Sequence, residues 1–266
     1  MQNNTQIGFF VMSCDKTSDV ASYFAKSFKK YFGNTPIPIF FGVNENVSNC
    51  EYLNAIPIKS FSSNWRNETI QQLNEIKKLN PDLTHLVVLL DDFIFLKQPD
   101  KTLYSLIREC VEKKIKYLRV KPVEEGLFYK FCNKFKSRED FKFANVVKIR
   151  KSHPYYCSLQ IAVWDINYLI DLVTRATSIW NFENQGSDEI HYSTTKSLIF
   201  YKHIVEKGQW DLNAKEVCME HIGEFNSGVR KQRDIGLLMR IKIFAQRISF
   251  ILFGYLFLKL RKKIEI

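Results

Sequence analysis

The sequence predicts an α/β fold in which a mostly parallel, Rossmann-type sheet is covered by helices on both faces. Two patterns support this prediction. Short, continuous apolar runs, which are typical of strands buried on both faces, recur along the first 120 residues. Between them lie segments whose apolar residues repeat at helical spacing. Strands and helices that alternate in this way form parallel sheets, because each connecting helix returns across one face.

Three strands and one helix are predicted before residue 62. The apolar runs at 7–12, 36–43 and 56–61 are short and end in polar or Asn-rich turns, so they predict strands. Helix-start residues at 15–19 precede aromatic and apolar residues at spacings of three and four, which predicts a helix that continues to residue 32.

The next elements continue the alternation. A capping Ser63 or Asn64 precedes apolar residues at helical spacing, so a helix is predicted at 64–78. The run at 84–90 is continuously apolar and stops at two aspartates, so it predicts a central parallel strand. The remaining predicted elements are helix 101–113, strand 116–120, strand 158–164, helix 167–174, a loop at 178–187 and one or two strands within 193–206.

Composition excludes several classes of protein. Hydrophobic residues make up 45% of the chain and charged residues 25%, so the chain can bury a core and is not disordered as a whole. The 6 cysteines include no pair at zinc-binding spacing, and no secretory signal opens the sequence. We therefore expect a cytoplasmic, reducing location.

The positive charge is concentrated in one segment. Of the net charge of +11, eight charges lie in residues 230–266, which hold ten basic and two acidic residues. The uninterrupted apolar stretch there, 248–258, is shorter than the roughly 20 residues that a membrane-spanning helix needs. We therefore predict a body at 1–229 and a basic amphipathic tail at 230–266 that lies on anionic lipid at the inner face of the cell membrane. The alternative is a helix packed on the body.

The two aspartates after strand 84–90 are the strongest chemical signal. Asp91 and Asp92 follow the carboxyl end of a buried strand, which is the edge where ligands bind in open α/β sheets. Adjacent carboxylates repel each other unless a cation neutralises them, and Mg²⁺ or Mn²⁺ does so with oxygen ligands. The alternative is that the two aspartates only cap the next turn.

Two further polar segments are candidate binding residues. Ser13-Cys14-Asp15 ends the first strand at the same predicted edge, where Asp15 would hold a base or ribose hydroxyl, or else cap a helix. The loop that contains Trp180, Glu183 and Asp188 combines aromatic rings for a sugar face with carboxylates that accept a proton. Its alternative is a core aromatic beside solvated acids. No zinc-hydrolase, P-loop or dinucleotide-binding motif is present in the sequence.

The motifs together resemble a family of small bacterial glycosyltransferases of the GT-A type, which act in lipopolysaccharide O-antigen and capsule synthesis. The resemblance spans residues 7–188 and includes the Asp-Asp-Phe motif. It rests on the first strand with Ser13-Cys14-Asp15, Trp65 before a helix, LVVLLDDFIF at 86–95, YLRV at 117–120, YYCSLQIAVW at 155–164 and WNFENQGSD at 180–188.

The resemblance implies a GT-A-like catalytic domain that takes a nucleotide-sugar donor, such as a UDP-sugar, with a divalent cation, Mn²⁺ or Mg²⁺. Asp92 would correspond to the metal-binding acid of the family's Asp-x-Asp-like motif, with Asp91 beside it at the metal and donor. The chain has Asp-Asp-Phe in place of Asp-x-Asp, which leaves the division of roles open. Ser13, Asp15 and Trp65 would bind the donor.

The resemblance also implies a lipid-linked glycan as acceptor and a hexosyltransferase-type reaction that inverts the anomeric carbon. Ser158, Gln160, Trp164 and Trp180 would face the donor sugar or the acceptor. Either Glu183 or Asp188 would be the general base. A location on the inner membrane face suits such an acceptor, and no nucleic acid is expected as a partner.

Three other functions are compatible with parts of the sequence. A catalytically silent scaffold of a membrane-bound polysaccharide assembly would bind no nucleotide and metal. A nucleic-acid-binding protein would use the basic stretches 130–151 and 230–263, although the tail interleaves its charges with apolar residues that suit lipid. A phosphate-processing metalloenzyme would use Asp91 and Asp92 together with further carboxylates at other strand ends.

Overall fold

A computed structural model describes residues 6–33, 35–62, 64–123, 139–153 and 155–234, together with 244, 245, 248, 249 and 252. Its strands are β1 (Ile7–Met12), β2 (Ile39–Val43), β3 (Ile56–Lys59), β4 (His85–Leu90), β5 (Phe93–Phe95), β6 (Tyr117–Arg119), β7 (Val146–Lys148), β8 (Ala162–Asp165), β9 (His191–Thr194), β10 (Tyr201–His203), β11 (Val205–Glu206) and β12 (Gln209–Trp210). Its helices are α1 (Ser18–Phe32), α2 (Ser48–Leu53), α3 (Trp65–Leu79), α4 (Leu103–Glu112), α5 (Ile166–Arg175), α6 (Ile179–Asn184) and α7 (Ala214–His221).

The predicted α/β fold with a mostly parallel sheet is confirmed. The central sheet has 8 strands in the order β3-β2-β1-β4-β8-β6-β9-β7. The pairs β3-β2, β2-β1, β1-β4 and β6-β9 are parallel. Strand β8 runs antiparallel between β4 and β6, and β7 is antiparallel to β9. The chain thus joins a parallel half to a mixed half at β8.

Helices cover both faces of this sheet because its strands are apolar on both sides. On one face, Phe9 of β1 meets the rings of Phe28 and Phe32 of α1, at 5.6 and 5.8 Å between ring centroids. That face also packs against α4. On the other face, Phe10 of β1 packs in a cluster with residues of α3 and α5. A fully apolar β1 therefore forms a central strand rather than a solvent-facing one.

The register of β1 and β4 sets the position of the polar residues that follow them. Met12 lies opposite Leu90 at the carboxyl ends of the two parallel strands, so Ser13 and Asp91 leave the sheet at the same edge. A separate two-stranded sheet pairs β5 with β10 and sets His203 opposite Phe93. This pairing brings the end of β10 beside Asp92.

Several elements differ from the prediction. The predicted loop at 178–187 contains the short helix α6, whose Ser178 side chain accepts a hydrogen bond from the Asn181 N–H and caps the first turn. The strand predicted at 158–164 starts only at Ala162. Elements α2, β5, β7 and α7 were not predicted, because each is short and is stabilised by contacts distant in sequence.

The predicted boundary between body and tail after residue 229 needs correction. The Arg230 guanidinium donates two hydrogen bonds of 2.8 Å to the Asp19 carboxylate, and the Trp210 N–H donates to the Lys231 carbonyl at 3.0 Å. Residues 230–233 therefore belong to the body. Most of the predicted amphipathic helix lies outside the described residues. The described helical positions there include Phe244, Ile248 and Leu252, and all three side chains are exposed.

None of the helices in the part of the chain that the structure describes has the length and apolar character needed to span a bilayer.

Candidate active site

A cleft of about 280 Å³ opens at the carboxyl edge of β1 and β4. It is lined by the residues that follow these two strands, by the first turns of α1 and α3, and by the start of α6. Three carboxyl groups lie on its walls, those of Glu68, Asp91 and Asp92, and we call it the acidic cleft. The sequence-predicted donor residues Ser13 and Trp65 line it as well.

The Asp91 side chain joins the ends of β1 and β4. Its Oδ2 atom accepts a hydrogen bond from the Ser13 hydroxyl at 2.7 Å and a second one from the Thr17 hydroxyl. Burial raises the pKa of Asp91 to about 7, although the two hydroxyl donors act in the opposite direction; the neighbouring charge of Asp92 adds to the increase. Asp91 therefore titrates near neutral pH.

The Asp92 side chain points to a different set of partners. Its Oδ2 atom lies 3.1 Å from Nδ1 of His203, whose N–H it accepts. Its Oδ1 atom is buried and makes no hydrogen bond to any described residue. A buried carboxylate oxygen without a donor is costly unless a ligand or cation binds it.

The residues present fit a cation that is shared with a ligand rather than one held by protein alone. Within the described ranges, no three His, Cys, Asp or Glu side chains form a cluster that could hold a metal ion. The free Oδ1 of Asp92 offers one oxygen ligand, and Asp91 lies beside it with one oxygen already engaged by hydroxyls. The diphosphate oxygens of a donor would supply further hard ligands for Mg²⁺ or Mn²⁺.

The Asp15 side chain has a structural task. Its carboxylate accepts hydrogen bonds from the backbone N–H groups of Asn44, Glu45 and Asn46 at 2.9, 2.9 and 3.0 Å. Burial acts to raise the pKa of Asp15, but these N–H donors outweigh it and hold the pKa below its usual value. Asp15 thus clamps the loop after β2 and is not among the residues that line the acidic cleft. Its predicted contact with a donor stays a prediction.

A close approach between β2 and α3 forms the floor of the acidic cleft. The Gln72 amide donates to the Ser13 carbonyl at 3.3 Å and to the Ser60 hydroxyl at 3.1 Å. A Cβ atom on Gly42 would lie 2.6 Å from the Gln72 amide nitrogen and 2.7 Å from the Ser13 carbonyl oxygen. Glycine at position 42 is therefore required for α3 to reach the end of β1.

A second cleft of about 250 Å³ lies on the other side of α6, and we call it the Arg119 cleft. It is lined by the end of β6, by the segment before β8 and by α6. The sequence-predicted residues Ser158, Gln160, Trp180 and Glu183 all line it. Trp180 is 64% exposed, so its ring face is open to a ligand.

The Glu183 carboxyl is held by hydrogen bonds on the wall of this cleft. Its Oε1 atom accepts hydrogen bonds from the Leu159 N–H at 3.1 Å and from the Ser158 hydroxyl at 3.3 Å. Burial raises the pKa of Glu183 and outweighs these donors and the nearby charge of Arg119. One carboxylate oxygen is thus held by the protein, and the other is available to a ligand.

A chain of hydrogen bonds connects the two clefts. His203 donates to Asp92 through Nδ1, so its Nε2 atom is an acceptor and lies 3.4 Å from the Gln160 amide nitrogen. The Gln160 carbonyl oxygen in turn accepts from Lys121 at 2.9 Å and from the Tyr201 hydroxyl. The acid pair and the Arg119 cleft therefore share one polar network.

Two predicted site residues lie elsewhere. Trp164 is completely buried in β8, where its ring packs against Tyr117 and Phe182 at centroid distances of 4.3 and 5.8 Å. This corrects the expectation that Trp164 faces a sugar, because a core ring cannot contact a ligand. Asp188 is exposed, approaches Lys151 at 3.8 Å and lines neither cleft. Of the two candidate bases, Glu183 is the one within a cleft.

The sequence analysis missed four residues that complete the two clefts, Thr17, Glu68, Arg119 and His203. Glu68 lies one helical turn after the predicted Trp65 on α3, so helix periodicity could have indicated it. Thr17 lies only two residues after the predicted Asp15, in the short 3-10 turn that precedes α1. No local pattern indicates His203 or Arg119. Their positions depend on which strands β10 and β6 pair with.

The pH dependence of stability tests the burial of Asp91. Because the pKa of Asp91 is raised above the usual 3.8, the folded state keeps a proton that the unfolded chain loses. The stabilisation that this proton gives to the folded state is fully present at low pH and is lost as pH rises toward 7 and above. As pH rises from 5 to 8, the original protein should lose on the order of 2 kcal/mol in free energy of unfolding relative to the Asp91→Asn variant.

Urea unfolding at pH 5, 6, 7 and 8 measures this difference. Asp82→Asn removes a carboxyl from an exposed position and controls for charge alone. If the free energies of unfolding of the Asp91→Asn variant and the original protein change equally with pH, the raised pKa of the buried Asp91 is contradicted.

No protein-family model matches the chain, and no curated protein matches it. Among solved structures, a cytidylyltransferase from Leptospira borgpetersenii serovar Hardjo-bovis aligns at 9% identity with a TM-score of 0.43, over 93% of this chain and 97% of that one. TarS from S. aureus aligns at 11% identity and a TM-score of 0.41, over 92% of this chain and 44% of that one. The bifunctional IspDF from Campylobacter jejuni aligns at 12% identity and a TM-score of 0.38, over 73% of this chain and 50% of that one. The chain therefore spans about half the length of IspDF, and these likenesses concern the arrangement of strands and helices alone.

Proposed function

We propose that this protein is a glycosyltransferase that moves a sugar from a nucleotide-diphosphate donor, such as a UDP-sugar, to a lipid-linked glycan in cell-surface polysaccharide synthesis. One observation carries the proposal. An acidic cleft with a buried, unpartnered Asp92 oxygen and a neighbouring cleft with a hydrogen-bonded Glu183 carboxyl lie on either side of α6. A transferase needs this pairing, because donor and acceptor must meet at adjacent sites.

The donor would occupy the acidic cleft. With Glu68, Asp91 and Asp92 on its walls, this cleft repels a diphosphate unless a cation intervenes. A bound Mg²⁺ or Mn²⁺ would supply charge neutralisation of the leaving diphosphate. Asp92 would hold the cation through its free Oδ1, and His203 would keep the carboxylate oriented through Oδ2. The half-buried ring of Trp65, which lines the cleft, suits contact with a nucleotide base.

The transfer would form one bond and break one bond at the anomeric carbon. An acceptor hydroxyl in the Arg119 cleft attacks this carbon while the bond to the diphosphate oxygen breaks and its electron pair leaves with the diphosphate. Glu183 takes the hydroxyl proton. Attack from the face opposite to the leaving group inverts the configuration, which suits a base and a diphosphate site that lie in separate clefts.

The tail supports an acceptor at a membrane surface. Phe244, Ile248 and Leu252 are exposed at helical spacing, and the basic residues of 259–263 follow them in the sequence. An apolar stripe with neighbouring lysine and arginine suits the boundary of an anionic bilayer. The protein would then work peripherally on the cytoplasmic face, where a lipid-linked glycan presents its end.

Asp92→Asn tests the donor site. The amide removes the charge that holds the cation, so we expect UDP to bind at least about tenfold more weakly in the presence of Mn²⁺. Binding without metal should change little. Calorimetric titration of UDP with and without Mn²⁺ measures both affinities, with Asp82→Asn as the matched control. An unchanged metal-dependent affinity would reject the role of Asp92.

Glu183→Gln tests the base. The glutamine carbonyl still accepts from the Leu159 N–H and the Ser158 hydroxyl, but the side chain cannot take a proton. We expect turnover to fall by about 10²–10⁴-fold, while the affinity for the nucleotide sugar stays the same. Asp188→Asn is the comparison, because Asp188 was the other candidate and lies outside both clefts. A fully active Glu183→Gln variant would exclude this mechanism.

Replacement of Lys259, Arg261, Lys262 and Lys263 by Gln tests the membrane contact in the full chain. Each basic residue near an anionic surface contributes about 1 kcal/mol, so the four together account for most of the binding. We expect the variant to stay in the supernatant when vesicles containing phosphatidylglycerol are sedimented.

The matched control for this experiment replaces four exposed body lysines, Lys101, Lys142, Lys196 and Lys215, with Gln. It should still sediment with the vesicles. Equal loss of binding in both variants would point to diffuse attraction by the whole protein instead of the tail.

A further inference from the structure

The Arg119 cleft contains the buried guanidinium of Arg119. Arg119 is only 4% exposed, yet it lines the cleft. Within the described ranges, no carboxylate oxygen lies within the ion-pair distance of 4.0 Å from its guanidinium. A buried arginine is normally paired, because an uncompensated charge is costly away from water. No carboxylate in the described part of the chain therefore compensates the charge of Arg119, and an anionic ligand would do so.

The guanidinium of Arg119 is held rigidly by neutral groups. Its Nε atom donates to the Tyr117 hydroxyl at 3.1 Å, and its Nη2 atom donates to the Tyr155 carbonyl at 2.9 Å. The Tyr117 hydroxyl donates in turn to the Ser158 carbonyl at 3.3 Å. These bonds fix the plane of the guanidinium and leave Nη1 without a hydrogen bond to a described residue. A guanidinium held in a fixed plane can bind the two oxygens of a carboxylate or phosphate group.

A second basic side chain lies on the wall of this cleft. Lys121 lines it and donates to Gln160 at 2.9 Å. Glu183 is the acidic group among its described lining residues, and burial raises the pKa of the Glu183 carboxyl. The described lining thus holds two basic side chains and one acidic one, whereas that of the acidic cleft holds three carboxyl groups.

The aromatic ring of Trp180 supplies a second contact in the same cleft. It is 64% exposed on the first turn of α6, so its face is open to the apolar side of a sugar ring. A ligand that fills the cleft would thus present a sugar ring to Trp180 and an oxyanion to Arg119.

We infer that the Arg119 cleft binds an acceptor glycan through an oxyanion, either the carboxylate of an acidic sugar or a phosphate substituent. This inference rests on the proposed function, since it names the chemical class of the acceptor for that reaction. The oxyanion on Arg119 fixes the sugar ring on Trp180, and an acceptor hydroxyl then faces the free oxygen of Glu183.

Binding of small sugars to the full chain without nucleotide or metal tests the inference. The probes are methyl glucuronide and glucose 6-phosphate, each compared with the neutral methyl glucoside, and calorimetric titration measures binding. We expect both anionic sugars, or one of them, to bind about tenfold or more tightly than the neutral one. The tighter of the two identifies carboxylate or phosphate as the group recognised.

Substitutions test whether the Arg119 guanidinium causes the preference for anionic sugars. Arg119→Met should remove the preference for the anionic sugars, whereas Arg175→Met, which changes an exposed arginine on α5, should retain it. Trp180→Ala should weaken all probes alike. If Arg119→Met does not fold, as judged by circular dichroism, Arg119→Lys takes its place and should reduce the preference, because lysine lacks the planar guanidinium.

Equal binding of neutral and anionic probes would overturn the inference. So would an undiminished preference in a folded Arg119→Met or Arg119→Lys variant. The outcome is separate from that of the proposed function, because no donor is present. If the protein prefers anionic sugars but shows no metal-dependent UDP binding, the anion site in the Arg119 cleft is supported and the proposed sugar transfer is rejected. If it binds UDP with metal but shows no preference for anionic sugars, only the anionic acceptor is rejected.

Discussion

The hydrogen bonds from Ser13 and Thr17 to the buried carboxyl of Asp91 hold the edge of the sheet where the acidic cleft begins. They join residues 74 and 78 positions apart in the sequence, and they depend on the parallel register that sets Met12 opposite Leu90. Because Asp91 is buried, its partners must stay in place or an uncompensated polar group results. The ends of β1 and β4 are therefore fixed relative to each other, and everything that lines the acidic cleft is positioned from them.

Asp92 acquires its different environment from this arrangement. Asp91 and Asp92 form the turn between β4 and β5, and within this turn the Asp92 side chain faces the β5–β10 sheet. There it meets His203, which lies opposite Phe93, and through His203 it reaches Gln160 in the other cleft. One carboxyl is thus engaged in holding strands, whereas its neighbour keeps a buried oxygen free. The Asp-Asp sequence divides these two tasks between adjacent residues.

The parts of the structure that depend on local patterns were predictable from sequence. Strand β1 was predicted with its observed bounds, and α3 within one residue at each end, because apolar runs, spacing and the capping Asn64 act over a few residues. The acids after β4 follow from the same logic. Trp164 could not be assigned, since an aromatic residue in a strand has the same local pattern in a core as beside a ligand. Arg119 and His203 were missed because they reach the clefts through the antiparallel insertion of β8 and the pairing of β10 with β5.

The described residues that line the two clefts differ in charge, so the clefts would bind different kinds of group. The described residues that line the acidic cleft include three carboxyl groups and no lysine or arginine, so a diphosphate bound there would need a cation to offset the repulsion. On the other side of α6, the buried guanidinium of Arg119 would attract an anion directly. Under the proposed function, a donor and an acceptor that are both negatively charged would then bind next to each other without sharing a counter-ion. Glu183 lies on the side of Arg119, whose charge acts against the increase in the Glu183 pKa that burial causes.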